Sequence, residues 1–317
     1  MLECDVVDGP KRLIRASLRT KLFPIVASAS TILCMIAAVS SRSLGVSADE
    51  GEVASDRAVR MKIWLPAYYY PFGPGLREWN RLIAAAKVAP IVAIVNPASG
   101  PGDHVDTNFA AVLPRARKAG VTLVGYIGTQ YARKPLDRVK REIEDFLRFY
   151  PDITGFHFDE QSPNARDVAY YVDLYKYVHN RIPGSLVVTN PGSLCAVEYA
   201  AAPASDVICL FERERGFAEF QPPDWASRFS GSRFCVQSHA VATEDSMIRS
   251  INRAAQLKIG YVFVTDDVLP NPYDRLPSYW DAEVEAVRRI NQSNLPNSKT
   301  AKKGAANAKQ SSKKKKK

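Results

Sequence analysis

The sequence is poor in the residues that mark metal centres and disulfide scaffolds. It holds five cysteines and four histidines in 317 residues, and neither type is clustered. Cys4 and Cys34 lie in or near an amino-terminal apolar segment, which leaves Cys195, Cys209 and Cys235, an odd number without CxxC spacing. That excludes a disulfide framework and a cysteine zinc site; Cys209 and Cys235, inside apolar runs, read as buried thiols. His104, His157, His179 and His239 are too scattered for a ligand set, although Asp159, His239 and Asp266 stand at strand ends from which they could meet. No metal is expected. A GxSxG elbow is absent, which removes the usual setting of a nucleophilic serine triad. Nucleotide loops are absent too. The glycine-rich stretch Asn96-Pro97-Ala98-Ser99-Gly100-Pro101-Gly102 lacks their lysine and spacing, and its prolines remove amide donors that a phosphate needs. Neither a nucleotide nor any other cofactor is expected.

Net charge is +10, which invites a nucleic-acid reading until the charges are located. Residues 1–48 hold six Lys/Arg against three acids, and residues 293–317 hold nine Lys against none, so the central 244 residues carry −2. The basic balance belongs to the ends. Lys11, Arg12, Arg15, Arg19 and Lys21 precede a charge-free apolar run from Leu22 to Val39, and Val46-Ser47-Ala48 supplies the small residues of a cleavage site. Residues 1–48 therefore read as a signal peptide or a membrane anchor, with an exported or cell-envelope location in either case. Residues 49–60 read as a linker. Residues 293–317 form a Lys-rich tail that cannot build a core; it is a solvated tail or a tether to an anionic cell-surface polymer. The folded part is expected to be a monomer.

Between Met61 and Gln292, short β-branched runs alternate with segments of helical period, the pattern of a parallel sheet covered by helices. Eight runs are found: 63–68, 91–96, 122–127, 155–158, 186–189, 207–211, 233–237 and 261–265. Helical stretches follow most of them, at 76–87, 108–119, 136–149, 166–180, 244–257 and 278–291; the segments after the fifth and sixth runs, 195–201 and 223–229, give only poor helical signals. Eight units in about 230 residues predict a single-domain (β/α)₈ TIM barrel over residues 61–292, with an open doubly wound sheet as the alternative.

Active sites of this barrel form where strands run into the following loops, so the strand ends carry the functional reading. Phe158-Asp159-Glu160 ends the fourth strand in two adjacent acids, which strand alternation sends to different environments. Unlike environments separate pKa values, as an acid and its charged partner require. Leu210-Phe211-Glu212 repeats the pattern on the sixth strand. Cleaving an acetal needs two carboxyl groups flanking the scissile oxygen, and these three acids are the catalytic candidates. Helix capping would explain Asp159 equally well, and an exposed ion-pair cluster with Arg213-Glu214-Arg215 would explain Glu212. Tyr68, Tyr70, Tyr126 and Tyr131, with Trp79 nearby, supply flat faces for sugar rings or ordinary interior packing. Asn96, Thr129, Asn190, His239 and Asp266, at other strand ends, complete the expected substrate-binding set.

Six ordered blocks support a resemblance over about Ile63 to Ile290: Tyr68-Tyr69-Tyr70-Pro71, Asn96 to Gly102, Gly125-Tyr126 with Thr129 and Tyr131, Phe158-Asp159-Glu160, Asn190-Pro191-Gly192 and Phe211-Glu212. They resemble the spherulation-specific family 4, or spherulin-like, glycoside hydrolases, which include fungal endo-acting α-1,4-N-acetylgalactosaminidases on a (β/α)₈ barrel. The resemblance implies that Asp159, Glu160 and Glu212 are the catalytic acids and that the substrate is an aminosugar-containing exopolysaccharide. His157 departs from the pattern, which is expected to be apolar there; the lysine tail lies outside it. The competing readings are a non-catalytic polysaccharide- or wall-binding barrel and a wall- or nucleic-acid-binding protein led by the lysine tail. A near-neutral centre argues against the latter.

Overall fold

The computed structural model describes residues 59–214 and 216–294. The segment expected to be a signal peptide or anchor, most of the expected linker and nearly all of the Lys-rich tail lie outside these residues. Among the described residues, no helix is long and apolar enough to cross a membrane.

Eight parallel strands close on themselves in sequence order: β1 (Lys62–Ala67), β2 (Ile91–Val95), β3 (Thr122–Gly128), β4 (Gly155–Asp159), β5 (Leu186–Thr189), β6 (Val207–Arg213), β7 (Phe234–Ser238) and β8 (Tyr261–Val264). Register between β1 and β8, with Lys62 opposite Tyr261 and Ile63 opposite Val262, completes the ring and rules out the open sheet. Covering helices are α1 (Pro74–Ala85), α2 (Thr107–Lys118), α3 (Leu136–Phe149), α4 (Val168–Arg181), α5 (Glu198–Ala201), α6 (Glu244–Gln256) and α7 (Trp280–Ser293). Local chemistry sets their starts. Pro74 opens α1 where no intrahelical N–H is needed, Asp106 accepts from the N–H groups of Asn108 and Phe109 to cap α2, and the Thr243 hydroxyl caps α6 on Ser246 N.

The two weak helical signals mark the places where the barrel departs from its repeat. After β5 the helix shrinks to the four residues of α5, and after β6 two 3₁₀ turns (Asp224–Arg228 and Gly231–Arg233) stand among the described residues where a helix would cover the sheet. Arg233 bridges the thin region, donating to the carbonyls of Ala200 (2.7 Å) and Ser205 (2.9 Å).

Strand alternation divides the apolar residues into two sets. Trp64, Val92, Ile94, Val124, Val188, Cys209, Cys235 and Tyr261 fill the barrel interior, and the other faces pack beneath the helices around Phe109, Phe146, Phe156, Phe158 and Trp280. Gly125 admits this packing on β3: a Cβ there would stand 3.0 Å from the Phe156 ring and 3.1 Å from that of Phe146. The three cysteines are free thiols and buried. On the amino-terminal face the Asn291 side chain bonds both the N–H and the carbonyl of Met61, tying α7 to the start of β1. The opposite face is left to the eight loops that follow the strands.

Candidate active site

Asp159 ends β4 pointing into the barrel mouth. Its Oδ2 accepts from the Tyr126 hydroxyl of β3 at 3.0 Å, and its Oδ1 from Nδ2 of Asn190, just beyond β5, at 3.0 Å. The same Nδ2 donates to Oε2 of Glu212 on β6 at 2.5 Å, and the Tyr273 hydroxyl donates to the other oxygen, Oε1, at 2.8 Å. One amide nitrogen therefore stands between two carboxylates, and its two bonds limit these oxygens to a separation of at most 5.5 Å. Asn190 is itself fixed: it is buried, its Oδ1 accepts from Gly192 N, and its backbone bonds Phe158 O and Gln161 N.

Glu160 reaches the mouth by a different route. Simple alternation would turn it away from Asp159, but its φ of 51° is left-handed, and so are those of Gln130, Tyr131 and Ala132 in the facing loop (54°, 57° and 64°). Such backbone costs side-chain-bearing residues about 1–2 kcal/mol each. It persists because the two segments clip together: Gln130 N donates to Glu160 Oε2 (3.1 Å) and Tyr131 N to Glu160 O (2.8 Å). Gly128 leaves the space that the carboxylate uses, since a Cβ there would stand 3.3 Å from Glu160 Oε2 and 3.7 Å from the Tyr126 hydroxyl.

Glu212 depends on a bulge. Val207 and Cys209 face the interior, so strict alternation would put Phe211 inside and Glu212 outside. Instead the register on β7 shifts between Cys209 and Phe211; Leu210 and Phe211 both join the outer core, where Phe211 packs on Phe217 and Phe220, and Glu212 turns inward. The Cys209 thiol donates to Phe211 O within the bulge, at 3.5 Å.

Tyr68 lies edge-on between the rings of Tyr126 and Tyr273. Burial raises its phenol pKa well above normal, and the Asp159 and Glu212 carboxylates push the same way, so it stays a neutral donor. Burial and nearby carboxylates likewise raise Tyr126 and Tyr273. Asp159 is also raised, first by burial, against hydrogen bonds from Glu160 N–H, Tyr126 and Asn190 that favour its ionised form. Beneath it, His157 packs between Trp64 and Tyr126 with Nε2 3.9 Å from Asp159 Oδ1. Burial lowers the His157 pKa to about 4, Glu212 opposing, so a neutral imidazole underlies the acids at neutral pH.

The structure brings together Asp159, Glu160, Glu212, Tyr68, Tyr126 and Asn190. Others expected at the site have different employment. Thr129 is fully buried, its hydroxyl bonding the carbonyls of Asp159 and Glu160 and pairing with Tyr171, so it holds the acids' backbone and is closed to substrate. Asn96 closes its own loop through Oδ1 to Gly100 N (3.0 Å). Asp266 pairs with Arg275 (2.9 Å) and accepts from Ser278 N; burial alone would raise its pKa, but these bonds outweigh it and hold the carboxyl low. His239 is buried after β7 with Nδ1 lacking a partner. Tyr70 lies further out, its hydroxyl donating to Asp106 and accepting from Asn108, and Tyr131 is exposed beside Arg133. Trp79 is core, donating Nε1 to Tyr69 O.

Sequence reasoning missed Tyr273, which sits in an irregular stretch after β8, and passed over Gln237, buried opposite Glu212 in the β6–β7 register with Oε1 unpartnered. The only sign of Gln237 was a polar residue ending an apolar run.

Comparison with known proteins agrees with this architecture. A crystal structure of Aspergillus clavatus Sph3 in complex with GalNAc superposes with a TM-score of 0.63 at 22% identity, covering 73% of this chain and 99% of that one, a likeness of fold. Spherulin-4 of Physarum polycephalum is 28% identical over 242 residues, 73% of this chain and 71% of that protein. Residues 62–287 match spherulation-specific family 4, and the chain belongs to that family.

Proposed function

We propose that this protein is a glycoside hydrolase that cleaves an aminosugar-containing, N-acetylgalactosamine-type polysaccharide within the chain, with Asp159, Glu160 and Glu212 as its acids. The observation that carries the reading is the convergence of these carboxylates, from two strands apart, around the Asn190 amide. A binding protein gains nothing from holding like charges together in a half-buried cleft, where each raises the cost of ionising its neighbours. The GalNAc in the Sph3 complex supports the sugar class.

Hydrogen bonding suggests a division of labour. Both oxygens of Asp159 accept bonds from protein donors, as do both of Glu212, whereas Glu160 holds Oε2 on Gln130 N and its Oε1 has no hydrogen-bond partner among the described residues. Glu160 is thus the group free to give its proton to the leaving glycosidic oxygen as the C1–O bond breaks. Asp159, fixed by the Tyr126 and Asn190 donors that favour its ionised form against burial, orients the substrate acetamide, whose oxygen attacks C1; Glu160 then takes a proton from the water that opens the resulting ring. Glu212 positions the sugar, the neutral phenol of Tyr68 donates to it, and that of Tyr126 stays on Asp159 and holds that carboxylate in place. This route retains configuration, because the acetamide oxygen and then the water attack C1 in two successive displacements.

Counting new reducing ends from a panel of galactosamine and glucosamine polymers tests the proposal. Wild-type protein is expected to cut an N-acetylgalactosamine polymer, and Glu160→Gln to lose about 10²- to 10⁴-fold in turnover. An unaltered rate in that variant removes Glu160 from the mechanism.

A further inference from the structure

Among the described residues eight large hydrophobic side chains are exposed, and seven of them stand on loops leaving the carboxyl ends of strands; Val88, on the other face, is the exception. Six of the seven occupy the loops after β8, β1, β2 and β3, which are neighbours in the closed ring: Val268, Leu269, Tyr70, Phe72, Val105 and Tyr131. Phe72 is 68% exposed and Leu269 64%. Scattered apolar residues on a surface need no explanation, but a row confined to one half of one rim does.

The row continues the cleft. Tyr68, which faces the acids, and Tyr70 and Phe72 share one loop; Tyr273, which holds Glu212, shares another with Val268 and Leu269; and Tyr68 N bonds Tyr273 O across the two. The Tyr70 ring is anchored from below, its hydroxyl engaged with Asp106 and Asn108 and its edge against Phe109, which presents a face without further ordering cost. Charge narrows the choice of partner. These loops carry Asp103, Asp106, Asp266, Asp267 and Asp274 against Arg133, Lys134, Arg275 and His104, and Lys134 and Arg275 are already paired with carboxylates, a balance that does not favour an anionic bilayer. Flat rings beside hydrogen-bonding groups suit the apolar faces of sugar rings, and a polymer leaving the cleft has to cross part of the rim.

We propose that the loops after β8, β1 and β2 form a platform, continuous with the cleft, that grips an uncharged polysaccharide several sugar units beyond the bond being cut, with Phe72 as its main stacking surface. The cleft's chemistry rests on the hydrolase reading above; the grip itself is measurable without turnover. The test uses the full chain, a long N-acetylgalactosamine polymer and a short oligosaccharide of the same sugar. In the Glu160→Gln background, Phe72→Ala and Leu269→Ser are each expected to weaken retention by the long polymer about 5-fold, the scale of one aromatic contact for Phe72 and of partly burying an aliphatic side chain for Leu269. In the active background the same changes are expected to lower kcat/KM on the polymer similarly and to leave the short substrate within about 2-fold. Equal losses on both lengths, or none on either, overturn the platform. So does binding to anionic vesicles, or a concentration-dependent dimer, that Phe72→Ala abolishes while polymer retention stays intact. Phe72-dependent retention without any new reducing ends from wild-type protein would instead sink the hydrolase reading and leave the platform standing.

Discussion

The ends of β4 and β6 deliver carboxylates to one cleft by opposite means. At β4 the strand is regular and the departure comes one residue later, where Glu160 takes a left-handed conformation clipped to the turn at Gln130–Ala132. At β6 the departure lies within the strand, where one extra residue turns Phe211 outward and Glu212 inward. The first solution concentrates strain in exposed backbone that a neighbouring loop must hold; the second spreads it into a packed outer core. Precision at β4 should therefore be sensitive to small changes in nearby loops, whereas β6 should answer to its partners in the cleft.

Four substitutions probe that contrast. Glu160→Gln, already expected to cost most, leaves the strained turn in place and should keep the wild-type unfolding temperature, separating chemistry from the clip. Asn190→Ala comes next: it removes the donor shared by Asp159 and Glu212, and about 10²-fold in kcat is expected, the scale of a lost preorganised donor. If β4 and β6 acted independently, its loss would add to that of Tyr273→Phe; a double-mutant cycle should instead show coupling. Gly128→Ala should cost about 3- to 10-fold, because the new Cβ would sit 3.3 Å from Glu160 Oε2 and force the carboxylate aside by a few tenths of an ångström. No change would mean that the β4 end is softer than its bonding suggests.

Tyr126→Phe is the mildest at the optimum and the most informative in its pH profile. The Asp159 carboxyl is raised by burial and partly restrained by the Tyr126 hydroxyl, which favours the ionised form. Without that donor its pKa rises further, so activity that needs ionised Asp159 is lost sooner on acidification. The acid limb of the kcat profile should move up by about one pH unit, as a lost bond to a charged group predicts. An unmoved limb would detach that titration from Asp159.

Barrel architecture was legible because every strand carries its own short apolar run, and the predicted limits of β5 and α3 coincide with those observed. The acids were legible because an ionisable residue closing an apolar run is conspicuous. What the sequence concealed was direction. Counting alternation from Val207 sends Glu212 out of the barrel, and only the bulge reverses it. Thr129 and Asn96 looked like ligands because they end strands, yet hydroxyls and amides of that size satisfy nearby backbone as readily as they bind sugar, and here they do. Tyr273 was invisible for the reverse reason: it reaches Glu212 from a loop with no periodicity to read.

The single amide that serves two carboxylates also limits how this protein can diverge. A descendant that changed the charge at either position would strand the other against a donor tuned for both, so a new chemistry at this mouth requires coordinated exchange at Asp159, Asn190 and Glu212. Variation should therefore accumulate first at exposed rim positions such as Phe72 and Leu269, which share no such donor.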